Sequence, residues 1–61
     1  MNEAIEVSTM VWFDDELESW VYSIMTMHGD EETLIAWGEA ESGSDAATAA
    51  LRELQTYISG L

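Results

Sequence analysis

The 61-residue sequence has no cysteine and no lysine, and Arg52 is its one formal cation. Without cysteine there is no disulfide framework, no thiolate metal centre and no cysteine nucleophile, and nothing covalent staples a small core. Without lysine, the chain is unsuited to binding nucleic acid directly, because affinity for a polyanion rests on Lys and Arg neutralising phosphates. The same argument disfavours an anionic membrane surface. Long apolar runs are also missing. A stretch such as Met10-Val11-Trp12-Phe13 is far too short for a spanning helix or for the apolar core of a signal peptide, so no membrane partner and no export are expected.

What is present is acid and a large apolar complement. Thirteen Asp plus Glu give a formal net charge of -12, about one uncompensated negative charge per five residues. A chain of this length supports one domain, here residues 1–61, and a domain of ~60 residues buries only about 60% of the surface its unfolded chain exposes. Elaborate multi-site enzymes are therefore not expected. The 48% apolar content, with three Trp, two Tyr, one Phe and four Met, is too high for a disordered acidic tail, which would lack large groups to bury. The composition predicts a folded domain under strong self-repulsion, beginning at Met1 and reading as a small gene product in its own right.

From Ala4 to Phe13 the residues alternate, with Ile5, Val7, Thr9 and Val11 on one parity and Glu6, Ser8, Met10 and Trp12 on the other, which is a strand pattern. Asp14-Asp15-Glu16-Leu17 reads as a turn, and Glu18 to Met27 resumes with β-branched and aromatic residues. A second turn at His28-Gly29-Asp30-Glu31-Glu32 leads to a third run from Thr33 to Glu41. Ser42-Gly43-Ser44-Asp45 breaks that pattern. Ser44 is expected to cap a helix over Ala46 to Ser59 whose apolar stripe is Ala47, Ala50, Leu51, Leu54, Tyr57 and Ile58, ended by Gly60. The expected fold class is α+β: a three-stranded antiparallel sheet in the order β-β-β-α, with the C-terminal helix on one face.

Charge fixes the expected faces. Trp20, Tyr22, Ile24, Leu34, Ala36, Gly38 and Ala40 fall together, and the small residues among them leave room for the helix. A four-residue first loop at Asp14 to Leu17 adds Ile5, Val7, Thr9 and Val11 to that face; a five-residue loop would bring Glu6 under the helix without a partner. The opposite face then carries Met10, Trp12, Val21, Met25, Met27, Ile35 and Trp37 interleaved with Glu6, Ser8, Ser23, Glu39 and Glu41. One helix cannot cover both sides of a sheet, and a contiguous bare patch of Trp, Met and Ile marks a contact surface.

Catalysis finds little support. His28, the single histidine, sits in a turn with no nucleophile motif beside it, and the pairs Asp14-Asp15 and Glu31-Glu32 lack the cleft with two contrasting environments that acid–base work needs. The chain is not expected to be an enzyme, nor to need a cofactor. Asp14 to Glu18 and Asp30 to Glu32 cluster oxygen donors, but neither matches a calcium loop, and no metal site is expected. The acidic turns instead form two lobes at opposite sheet ends, one from Asp14 to Glu18 with Glu39, Glu41 and Asp45, the other from Glu3 with Asp30, Glu31 and Glu32. Solubility or adaptation to high salt would also favour acid. Yet ordinary surfaces mix both signs, whereas here nearly every turn is acidic and Lys is absent.

In its short stand-alone chain, lack of Lys, and acidic turns Asp14-Asp15-Glu16-Leu17-Glu18 and Asp30-Glu31-Glu32, the sequence resembles the small acidic DNA-mimic inhibitors encoded by phages and mobile elements, including some anti-CRISPR proteins and inhibitors of uracil-DNA glycosylase. That resemblance implies a basic nucleic-acid-binding host protein as partner, such as a CRISPR effector or a repair enzyme, met in the host cytoplasm. Asp14, Asp15, Glu16, Glu18, Asp30, Glu31 and Glu32 would replace phosphates, and Trp12, Met25 and Trp37 would anchor the contact. From Trp20 to Ile58 the chain also resembles the β-β-α end of double-stranded-RNA-binding domains and of HicB-type antitoxins, although Asp45 stands where an RNA-binding helix opens with Lys. The alternative is therefore an antitoxin-like or structural module that dimerises through the uncovered apolar sheet face.

Overall fold

The structure, a computed structural model, describes residues 4–61. Its elements are β1 (Ile5–Asp14), β2 (Ser19–His28), β3 (Glu31–Ala40) and α1 (Gly43–Ser59). The strands form one antiparallel sheet in the order β1-β2-β3, so the fold is α+β with one C-terminal helix, as the alternation and the Ala-rich segment predict. The Cα trace is a slab of 44 × 22 × 12 Å. That thickness is two layers, which leaves the sheet face away from the helix bare.

Asp14 pairs with Ser19, so the four-residue first loop is Asp15 to Glu18, one residue later than the sequence predicts. The cause is local. The Asp14 carboxylate oxygen Oδ1 accepts from the backbone N–H of Glu16 at 2.9 Å and of Leu17 at 3.1 Å, a turn that holds Asp14 at the end of its strand. Moving the loop by one residue shifts the register by two, so every β1 side chain keeps its expected face. Glu18 closes the loop at φ 53, a left-handed conformation that costs a residue with a Cβ about 1–2 kcal/mol. Glu18→Asn should therefore stabilise the domain by about 0.5–1 kcal/mol, visible as a higher urea midpoint at unchanged slope. A lower midpoint would contradict this reading of the loop.

The second hairpin contains the main departure from the expected register. Its turn is the two residues Gly29-Asp30, since His28 pairs with Glu31, and only Gly29 has positive φ (66), as a type II′ turn requires. Continued without interruption, that register would set Ile35 opposite Ile24 and Trp37 under the helix. A β-bulge prevents this: Ile24 pairs with Ala36 and Met25 with Leu34, leaving Ile35 as the extra residue. Beyond the bulge Ala36, Gly38 and Ala40 lie on the helix side, as expected. Before it, Leu34 lies with Met25 on the open face, which corrects its expected place under the helix.

Small residues beneath the helix have a direct use. A Cβ on Gly38 would sit 2.5 Å from the Tyr22 hydroxyl oxygen, so the hydroxyl end of the Tyr22 ring lies directly against that glycine. Trp20 lies against Gly43 at the helix start and meets Phe13 edge-on, with centroids 5.7 Å apart and planes at 70°. Across from these large rings α1 presents alanine: Ala46 and Ala50 are buried, and Ala49, Leu54 and Tyr57 half-buried. The contact stripe is therefore rotated from the expected one, and Ala47, Leu51 and Ile58 are left exposed on the flank of the helix. Large side chains on the sheet need small ones opposite them, so the alanine arc docks and the leucine arc does not.

The N-cap is Ser42 rather than Ser44: its hydroxyl accepts from the Asp45 backbone N–H at 3.0 Å, and Asp45 occupies the first turn, where negative charge suits the helix dipole. Ser42→Ala should cost about 1 kcal/mol, lowering Tm by roughly 4–8 °C, while Ser44→Ala should change stability by less than ~0.5 kcal/mol. Equal effects would remove the assignment. Gly60 ends the helix in a right-handed conformation, φ -82, and its N–H reaches the Thr56 and Tyr57 carbonyls.

Candidate functional site

The open face is read row by row from the register. At one end Glu6, Met27 and Glu32 lie side by side; next come Ser8, Met25 and Leu34, then Met10, Ser23 and Trp37, then Trp12, Val21 and Glu39, with Asp14 and Ser19 at the far end. Carboxylates thus close both ends of an apolar centre. Its floor is small and buried, Val21 at 3% exposure and Ser23 at 8%, while Met10, Trp37 and Leu34 on the flanking strands are more than half exposed. Trp12, Met25, Leu34 and Trp37 wall a trough of about 360 Å³ over Val21 and Ser23.

The two indoles reach this face because each lies on an edge strand beside a small residue of β2, Trp12 opposite Val21 and Trp37 opposite Ser23. Two strand spacings put them roughly 10 Å apart across the sheet. Trp20, the third tryptophan, is used under the helix against Phe13 and Gly43. So the structure brings together all three apolar residues that the sequence singled out, Trp12, Met25 and Trp37, and adds Leu34. That residue was missed because its side depends on the bulge, for which the one sequence signal is the tight Gly29-Asp30 turn.

The seven acidic candidates divide by position. Asp14 lies at a corner of the open face, but its carboxylate is engaged in shaping the first loop. Asp15, Glu16 and Glu18 are exposed in that loop, and Glu18, Glu39 and Glu41 line one indentation beside Ser19. Asp30 is exposed in the second turn, Glu31 pairs with His28 on the helix side, and Glu32 stands on the open face. Glu3 lies outside the described residues. The two acidic ends are separated by strands of ten residues, about 30 Å.

Among the described residues no group of three or more His, Cys, Asp or Glu is arranged to hold a metal ion. No helix among them is long and apolar enough to cross a membrane. Comparison with family models, with characterised proteins and with solved structures finds no match to this chain.

Proposed function

We propose that this protein is an inhibitor of the phage-encoded, anti-CRISPR-like kind, which binds a basic nucleic-acid-binding enzyme through its open sheet face and the acidic ends of that face, excluding DNA by presenting carboxylates in place of phosphates. The observation that carries the reading is the layout of that face: an exposed Trp and Met centre between two carboxylate clusters about 30 Å apart, in a chain with a single cation. Apolar patches of this kind on small proteins mark contact surfaces, and the surrounding negative field favours a basic partner. An arginine-rich groove suits it best, since guanidinium groups stack on indole faces and pair with carboxylates at once.

The test is capture from bacterial lysate on the immobilised protein, eluting in parallel with duplex DNA and with rising salt. Basic nucleic-acid-binding proteins should be retained at low salt and released by either eluent. Retention of neutral proteins indifferent to DNA, or of none, would overturn the reading. Pairing of two copies through the open face is the less favoured alternative, because it would set the Glu6, Glu32 and Glu39 rows of two chains against each other.

A further inference from the structure

Net side-chain charge is confined to one part of this chain. Twelve of the thirteen carboxylates precede Ala46, and from Ala46 to Leu61 the only charged side chains are the adjacent Arg52 and Glu53, which cancel. The same segment carries apolar residues that the sheet does not cover: Leu51 is 53% exposed, Ile58 50% and Leu61 72%. With Ala47 and the half-buried Leu54, Leu51 and Ile58 recur along α1 at steps of four, three and four residues, the spacing of a seam between paired helices, and Leu61 follows just beyond the helix end. On a helix of 3.6 residues per turn this seam lies about a quarter-turn from the Ala46–Ala50 arc that docks on the sheet.

We infer that this flank of α1 is a self-association surface, occupied by α1 of a second copy of the same chain in a two-fold dimer. Charge selects the occupant. Two copies that each carry -12 repel wherever their sheets approach, and the seam of α1 is the apolar surface with no net charge on which they can meet. A basic partner gains nothing there, because Glu53 is offset by Arg52. A two-fold axis makes one apolar flank complementary to itself, with leucine and isoleucine knobs meeting their own counterparts. Because the seam lies on the side of the helix, the arrangement leaves the open sheet face of each copy uncovered.

The experiment is sedimentation equilibrium of the full chain at about 0.01 to 1 mM, the range of weak complexes. Mass should rise with concentration from 6.8 kDa toward twice that value. Association should be tighter in about 0.5 M than in about 0.02 M sodium chloride, because screening removes the residual repulsion. This sign is opposite to that expected for capture of a basic partner, so the two readings fail separately. The double variant Leu51→Gln, Ile58→Gln is neutral and keeps good helix formers at exposed positions; it should weaken the dimer at least ~10-fold with an unchanged circular dichroism spectrum. Trp37→Ala should dimerise like the parent. A wild-type chain that stays monomeric at ~1 mM in high salt, or a dimer lost in Trp37→Ala and kept in the double variant, would overturn the proposal.

Discussion

Ile24→Ala is expected to leave a large fraction of the chain unfolded at 25 °C, with loss of the cooperative thermal transition. Ile24 is the one large side chain that is fully buried among the described residues; the other core members are Val21, Ala46 and Ala50. It stands at the middle of the central strand, opposite Thr9 on one side and Ala36 on the other, at the point where the β3 register shifts. Truncating a buried Ile to Ala costs about 2–5 kcal/mol, while a domain below ~70 residues rarely holds more than ~3–5 kcal/mol in its core. Collapse of the helix into the gap is resisted by Trp20 and Tyr22, which already fill the space around Gly43 and Gly38. Ile24→Val, losing one methylene, should cost only ~0.5–1.5 kcal/mol and remain folded. If Ile24→Ala kept the parent's urea midpoint, the core would have to lie elsewhere.

The sequence reveals most of this fold because its alternation and charge agree. Placing Glu6 away from the helix settles the parity of β1, and a loop displaced by one residue leaves that parity intact. The helix and its acidic first turn are legible from Ser42-Gly43-Ser44-Asp45, but two serines compete for the cap, and only geometry chooses Ser42. Leu34 is illegible for a stronger reason. The Gly29-Asp30 turn favours one register and the small residues Ala36, Gly38 and Ala40 demand the other, and the chain satisfies both by placing a bulge at Ile35. Alternation alone carries no marker for where that compromise falls. The helix stripe is misjudged by a similar route: apolar spacing identifies Ala47, Ala50, Leu51, Leu54, Tyr57 and Ile58 as one arc and passes over Ala46 and Ala49, and the part that docks is decided by the bulk of Trp20 and Tyr22 on the sheet.

Reversing the two acidic ends should change the rate of partner capture, and removing an indole should change the lifetime of the complex. The substitutions Asp15→Lys and Glu16→Lys alter one end without touching the Asp14 carboxylate that shapes the loop, and Glu31→Lys with Glu32→Lys alters the other. Each replacement shifts the charge by two, so the four together take the net charge from -12 to -4. Against a basic protein captured as above, the combined variant should associate about 10- to 1000-fold more slowly at low salt, with the difference shrinking as ionic strength rises. Trp37→Ala, by contrast, removes an exposed anchor and should accelerate dissociation ~30-fold, the size of a ~2 kcal/mol hot spot, with little effect on the association rate. The two effects separate because charge acts before contact and the indole only after it. An association rate unchanged by all four reversals would rule out phosphate mimicry and leave the Trp12 and Trp37 trough as the whole of the recognition surface, bound by a partner chosen for shape rather than for charge.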